Sequence, residues 1–363
     1  GSDEMMGEVP FTLDFSRVGL TERALVGGKV ASLGELLRHG CRVPPGFAVT
    51  SFGYRRFLEA NGLEDRLRQV LASVVPNDLE SLERASQQIT GMFLESRIPR
   101  EVQGAIERGY EELSVRAQLP DPPVAVRSSA LAEDSEQASF AGQQETYLWV
   151  RGTENVLDSV RRCWASAFTP RALSYRLTQG VSLDDGVAVG VQQMVHPRAA
   201  GVLFTLSPRT GDRSLIVVEG SWGPGVAVVS GEVTPDEFTV NKVTLEIVHR
   251  KISPKTAQFV PTGSEGLLVK VPVPEDLQTK PCLSDEEVVE LARLARHLEQ
   301  VYGFPLDIEW AVAENEAFPH NLYLLQSRPE TVWSRRPRTS IAANFKDPLS
   351  YVVQTLAGKA LSR

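Results

Sequence analysis

The residues best suited to chemistry lie near the end of the chain, in LDIEWAVAENEAFPHNLYLLQSRPET, Leu306 to Thr331. If Leu306 to Ala313 and Asn321 to Arg328 are antiparallel strands around the polar ENEAFPH connection, their side chains alternate faces with period two. A symmetric register then pairs Asp307 with Arg328 and Glu309 with Gln326. These four polar groups share one face at one end of the hairpin, and Ile308, Trp310, Val312, Tyr323 and Leu325 occupy the other. One reading is a cross-strand ion pair with a neutral neighbour on a sheet surface, worth at most about 1 kcal/mol. Against it, Ala311, Ala313, Leu322 and Leu324 make the rest of the polar face apolar, which puts the charges at the end of a covered sheet. Buried charges need partners or ions. Two oxygen donors beside an arginine capable of bidentate contacts suit a hard cation bridging phosphates. The pattern alone leaves both readings open.

Upstream, Gly27-Gly28-Lys29 precedes the helical pattern Val30 to His39, with Leu33, Leu36 and Leu37 on one face. A helix opening after two glycines presents free N–H groups, and a lysine in its first turn sits where the macrodipole disfavours it. That placement suits an anionic ligand, although a solvated lysine accounts for it equally. GxxxxGK[ST] is absent, so this is no P-loop. Arg127 follows the short apolar strand Val124-Ala125-Val126 at the root of a long polar loop, Ala130 to Gln144. There it could hold phosphate, with Ser139 and Gly142 offering backbone approach to a polyphosphate, while Glu133 and Asp134 equally suit a solvated loop. The strand pattern Gly186 to Val195 ends in Gln192-Gln193-Met194-Val195, an edge that could offer backbone groups to a base.

The bulk numbers bound these readings. A chain of 363 residues exceeds one ordinary core and predicts two or three lobes. A hydrophobic share of 42% and a charged share of 23% describe an ordinary soluble globular protein. The formal charge of −8 gives no footprint for nucleic acid or an anionic membrane. Cys41, Cys163 and Cys282 are too few and too widely spaced for a zinc motif and fit a reducing compartment, so the expected location is cytoplasmic. No apolar run reaches membrane-spanning length.

Several elements must position the candidate residues. Val43 to Phe47 turns the chain into an Ala48 to Thr50 strand, and Ser51 to Gln118 reads as mostly helical. Asn155 to Gln179 is helical, with Trp164 and Phe168 as core. Strands are expected at Gly201 to Leu206, Ser214 to Glu219, Glu237 to Lys242 and Thr244 to His249, with a glycine-rich connector from Gly220 to Gly231. Asp285 to Tyr302 is a strongly periodic helix that delivers the chain to the hairpin.

Five blocks then carry a resemblance: GGKVASLGELLRHGCRVPPGFAVT, VAVRSSALAEDSEQASFAGQQETY, GVLFTLSPRTG, SWGPGVAVVSGEVTPDEF, and DIEWA with LLQSRPET. In this order they resemble the amino-terminal ATP-grasp nucleotide-binding domain of the phosphoenolpyruvate synthase and pyruvate phosphate dikinase family, from about Asp14 to Val332. The resemblance implies an α+β, two-lobed ATP-grasp fold. A helix-rich first lobe would span 14–195 and an antiparallel-sheet second lobe 196–332, with lead-in residues 1–13, a terminal segment 333–363, and ATP between the lobes. It implies Lys29 and Arg127 on the phosphates, Ser139 to Gly142 above them, and Gln193, Met194 and Val195 as the adenine edge. Glu309 and Gln326 would hold Mg²⁺, while Asp307 and Arg328 orient the transferred phosphates. Lys29, Arg127, Asp307 and Arg328 are then the catalytic set, and the work is positioning and charge neutralisation.

In that family a histidine on a swivelling domain receives the phosphoryl group and carries it to a small-molecule acceptor, leaving AMP and phosphate. None of His39, His196, His249, His297 or His320 lies in the family's TGGxxSHAA-type context. The expected partner is therefore a histidine-bearing domain or subunit, with no role for nucleic acid or membrane. The NFKDPLSYVVQTLAGKALSR segment is unlike the start of a swivelling domain. This favours a free-standing subunit similar to that of phenylphosphate synthase, with a phenol-type acceptor. The alternatives are an excised nucleotide domain of a phosphoenolpyruvate synthase or rifampin phosphotransferase, and a non-catalytic ATP-sensing protein. Two departures from the family pattern stand out: Val30 replaces an asparagine, and WGPGVAVVSG carries Pro224 and Val226 where WGLGEAVVSG is usual.

Overall fold

The computed structural model describes residues 10–130, 146–180, 186–262 and 267–333. Ser139 and Gly142 lie outside them, so their expected role over the phosphates stays with the sequence. Two antiparallel sheets organise the chain, with helices against both, giving the expected α+β class.

The first sheet is built from β1 (Thr12–Asp14), β2 (Gly46–Val49), β3 (Val124–Ala130), β4 (Thr146–Val150) and β5 (Val187–Gln193), in the order β1-β2-β5-β3-β4. Among the described residues seven α-helices accompany it: α1 (Arg23–Arg38), α2 (Ser51–Ala60), α3 (Leu63–Ala72), α4 (Leu79–Glu95), α5 (Arg100–Ala117), α6 (Thr153–Ser166) and α7 (Pro170–Gln179). The alternation of β3 and β5 buries Val124, Val126, Val187, Val189 and Val191 in one core with Phe57, Phe93, Trp164 and Phe168. Ala125, Arg127 and Ser129 are left to the opposite face of β3. Arg127 sits within β3, because the strand continues through the serines instead of stopping before them.

The second sheet contains β6 (Pro197–Phe204), β7 (Leu215–Trp222), β8 (Asp236–Asn241), β9 (Ile247–Lys251), β12 (Leu306–Ala313) and β13 (Leu322–Pro329), in the order β13-β12-β6-β7-β8-β9. A separate hairpin, β10 (Ala257–Thr262) with β11 (Leu267–Pro272), was not anticipated, since its prolines and sparse alternation hide the strand signal. The short helices α8 (Val226–Val229) and α9 (Glu275–Gln278) lie in connectors, and α10 (Asp285–Tyr302) covers one face of the sheet. Ser284 and Glu287 form a capping box at the start of α10, and Gly303 ends it in the left-handed region. Val288, Leu291 and Leu298 of α10 are fully buried against Leu203, Val218, Ile308 and Trp310, each contributing roughly 1.5–3 kcal/mol. Val26, Val30, Leu33 and Leu36 of α1 join the same core. The helix bearing Lys29 is thereby packed into the second sheet's core as well as against the first sheet.

Asp236 and Lys255, both fully buried, tie the β10–β11 excursion back to the sheet. One Asp236 oxygen accepts from Lys255 Nζ at 2.8 Å and Ser253 N–H at 3.0 Å, and the other accepts from Cys282 N–H at 2.9 Å. Among the described residues no helix is long and apolar enough to cross a membrane. Lys255→Met leaves the Asp236 carboxylate buried without its counter-charge and should lower the unfolding free energy by about 3–5 kcal/mol in urea titration.

Candidate functional site

The hairpin β12–β13 pairs Asp307 with Arg328 and Glu309 with Gln326, as the sequence pattern predicts. The register then shifts: Trp310 faces Leu324 and Ala311 faces Tyr323, leaving Leu325 as the extra residue of a β-bulge. The symmetric assignment of faces is corrected beyond this point. Tyr323 belongs to the polar face with Ala311, while Leu322 and Leu324 join Trp310 and Val312 in the core. The core needs leucines behind the sheet, and one inserted residue supplies them without moving Gln326 or Arg328 off the other face.

Asp307 and Arg328 are cross-strand neighbours, yet they form no ion pair within contact distance. Asp307 Oδ1 and Arg328 Nη2 are buried and have no hydrogen-bond partner among the described residues. Asp307 is 8% exposed. Burial, and then the charge of Glu330, push its pKa up to about 8, with Arg328 acting in the opposite sense. Glu309 and Gln326 are half-buried beside this pair.

From the first sheet, Arg127 points toward the same place. Burial draws its guanidinium below the usual value, and the charge of Glu309 opposes that shift. Arg127 and Glu309 therefore sense each other across the two sheets. Arg127 Nε is buried with no hydrogen-bond partner among the described residues. Lys29 is positioned by a break in α1. Gly27 has φ of 80° and ψ of 167°, so the helix restarts at Gly28 with Lys29 in its new first turn. A Cβ at Gly27 would collide with Ser129 Oγ and the Ser129 carbonyl. Ser129 Oγ in turn accepts from the Val30 N–H at 3.4 Å, capping the restarted helix from β3, two residues beyond Arg127.

The chemistry of the donor set fits a metal and phosphate. A carboxylate and an amide oxygen face each other at Glu309 and Gln326, with an unsatisfied carboxyl oxygen at Asp307. Buried guanidinium N–H groups without acceptors come from Arg127 and Arg328. Among the described residues no group of three or more His, Cys, Asp or Glu gathers as a metal cage. Mg²⁺ needs none, because it takes one or two protein ligands and fills the rest with water and phosphate oxygens.

Gln193, Met194 and Val195 form the crossing from the first sheet to the second. The N–H groups of Gln193 and Met194 are committed to the carbonyls of Pro45 and Pro123, each at 2.8 Å. A base at this edge would use carbonyls or the Val195 N–H. A cleft of about 740 Å³ lies beside this crossing, lined by Trp149, His196, Arg198, Trp222, Phe259 and Glu287 among others. It touches none of Lys29, Arg127, Asp307, Glu309, Gln326 or Arg328, so it is not the phosphate site. Sequence reading missed Glu219, which is 2% exposed on β7. It pairs with Val202, which pairs with Glu309, and this puts both carboxylates on one face. Its signal was a lone glutamate in LIVVEGSW, a strand otherwise too apolar to carry one at no cost.

The sequence matches the family described as pyruvate phosphate dikinase, AMP/ATP-binding domain, over residues 23–348. It is 44% identical over 357 residues to a probable phosphoenolpyruvate synthase of Staphylothermus marinus, covering 91% of this chain and 43% of that protein. It is 43% identical over 337 residues to a phosphoenolpyruvate synthase of Aeropyrum pernix, covering 86% of this chain and 41% of that one. The chain thus spans less than half the length of these relatives. The solved ADP complex of purK, an N5-carboxyaminoimidazole ribonucleotide synthetase, aligns over 78% of this chain and 64% of its own, with a TM-score of 0.22 and 11% identity, too remote to argue from. Fold, polar face and sequence match define a dikinase-type nucleotide-binding domain. The chain belongs to the pyruvate phosphate dikinase AMP/ATP-binding domain family.

Because folded Asp307 holds its proton from its ordinary value of 3.8 up to about 8, the folded state binds more protons than the unfolded chain across that window. Stability of the metal-free protein should therefore fall as pH rises through it. Asp307→Asn should flatten that fall and stabilise the metal-free protein by about 1–3 kcal/mol above the window, as compared by denaturation at acidic and alkaline pH.

Proposed function

We propose that this chain binds ATP with Mg²⁺ between a first lobe, 14–195, and a second lobe, 196–332, in an ATP-grasp arrangement. In the cytoplasm, with one water consumed, the β-phosphoryl group of ATP ends on a histidine of a partner domain or subunit, the α-phosphate stays in AMP and the γ-phosphate leaves as phosphate. The observation that carries the reading is the convergence of two buried guanidiniums with unsatisfied N–H groups, Arg127 and Arg328, on the carboxylates of Asp307 and Glu309 from two different sheets. Guanidinium N–H groups without acceptors beside a carboxyl oxygen without a donor are what a metal-chelated polyphosphate satisfies at both ends.

Glu309 and Gln326 would hold Mg²⁺, which when bound neutralises phosphate oxygens. Lys29, at the restarted turn of α1, and Arg127 hold the phosphate chain from the first sheet. Arg328 stabilises charge on the transferred group, and Asp307 orients it through the same guanidinium. Gln193 to Val195 take the adenine, while the phosphate role of Ser139 and Gly142 rests on the resemblance, since both lie outside the described residues. No protein nucleophile is required here, because the attacking histidine belongs to the partner.

The names of the relatives, phosphoenolpyruvate synthases, support pyruvate as the final acceptor. The phenol-type acceptor rests on the resemblance alone. Incubating the chain with a histidine-bearing phosphocarrier domain and β-labelled ATP tests the reading. Label on the partner histidine is expected, and ATP binding without transfer would reduce the chain to a sensor. Supplying pyruvate or phenol to the labelled carrier then separates the acceptors. Glu309→Ala and Arg328→Ala should each slow transfer by at least about 100-fold, the scale for removing charge stabilisation. Single-turnover label transfer measures this.

A further inference from the structure

The segment Arg42 to Pro45, between α1 and β2, touches both ends of the proposed nucleotide site. Toward the crossing, the Pro45 carbonyl accepts from Gln193 N–H at 2.8 Å and the Pro44 carbonyl accepts from Gln192 Nε2 at 3.1 Å. Toward the hairpin, the Arg42 carbonyl accepts from Leu324 N–H at 2.9 Å. The Arg42 side chain donates to the Tyr323 hydroxyl at 2.7 Å, and that hydroxyl donates to Glu316 Oε1 at 2.9 Å. Arg42 also lies 3.8 Å from Glu316 and 4.9 Å from the Tyr323 ring centre.

These contacts grip β13 at Tyr323 and Leu324, the two residues immediately before the bulge at Leu325. With Tyr323 held in front and Leu324 behind, the bulge is what leaves Gln326 and Arg328 on the polar face. Without it, Tyr323 would pair toward the core face and Leu324 toward the polar one, the arrangement that plain alternation predicts. A register slip of one residue moves a whole strand's side chains to the other face. Tyr323 is 7% exposed and meets Arg42 and Glu316 only from the polar face. We propose that Arg42 and Glu316, acting through Tyr323, form a clasp that locks this bulge and thereby positions Gln326 and Arg328 for the metal-bound polyphosphate. They are positioning residues, since none of the three belongs to the metal and phosphate set assigned above. The inference rests on the function proposed above for Gln326 and Arg328, while the locking of the bulge stands on its own geometry.

The test measures ATP binding by titration calorimetry with and without Mg²⁺ in wild type, Tyr323→Phe, Arg42→Met and Arg42→Lys. Amide exchange at Leu325 and Gln326 is followed in the same metal-free proteins. Tyr323→Phe keeps the ring and removes both hydroxyl bonds. It should cut the Mg²⁺-dependent gain in ATP affinity by about tenfold, the lower end for residues that orient a metal's ligands, with metal-free ATP binding weakened less, through Arg328 alone. Arg42→Met should match it, Arg42→Lys should recover part of the gain, and Arg42→Met with Tyr323→Phe should be no worse than either alone. Faster exchange at Leu325 and Gln326 should accompany the loss. Equal loss with and without Mg²⁺, or an unchanged gain, overturns the positioning role. A wild-type chain that binds no ATP overturns the functional reading instead. Exchange then decides the clasp by itself, and unchanged exchange in Tyr323→Phe overturns it.

Discussion

A β-bulge at Leu325 is the constraint on which the rest of the site depends. The hairpin has to satisfy two demands with one sequence: apolar side chains behind it for α10, and polar side chains in front of it facing the first sheet. Strict alternation meets both only as far as Glu309 and Gln326. Beyond them, continued pairing would turn Leu322 and Leu324 toward the polar side and Tyr323 into the core. One unpaired residue resolves the conflict. Trp310, Leu322 and Leu324 stay in the core, and Tyr323 stays in front, where Arg42 and Glu316 meet it.

The second constraint is electrostatic. Asp307, Glu309, Arg127 and Arg328 are brought together without closing a salt bridge of their own between Asp307 and Arg328. A buried ion pair with ideal geometry would be self-sufficient and would compete with a ligand. Here burial disfavours the charged form of both groups, raising the pKa of Asp307 to about 8 and lowering that of Arg127, which stays a cation. Such a site gains most from a ligand that brings both signs at once. α1 makes this arrangement rigid. Its apolar face shares the core of the second sheet, its restarted turn is capped from β3 by Ser129, and the segment after it bonds to both the crossing strand and the hairpin.

Much of this was legible in the residues. The alternation in LDIEWAVA, the period of Asp285 to Tyr302 and the Gly-Gly-Lys break before a helix each encode a local geometry. Local geometry places Asp307 opposite Arg328 and Lys29 in a first turn. The β10–β11 hairpin was not legible, because Pro261 and Pro272 interrupt the strand pattern and the Asp236–Lys255 pair beside it joins separate stretches of the chain. Glu219 is hidden in the sequence for a related reason. A single carboxylate in an apolar strand acquires meaning only when β6 carries it alongside Glu309.

By itself, then, the sequence determined the element types outside the β10–β11 hairpin, the polar quartet of the β12–β13 hairpin and the resemblance that five ordered blocks establish, since these depend on period, capping and residue chemistry within short spans. Only the tertiary structure decided that Arg127 comes within electrostatic reach of Glu309, that Ser129 caps the helix of Lys29, and that the hairpin bulges at Leu325. The first two join residues far apart in the chain. The bulge is set by volume and partners on the two sides of a sheet, which alternation along one strand does not contain.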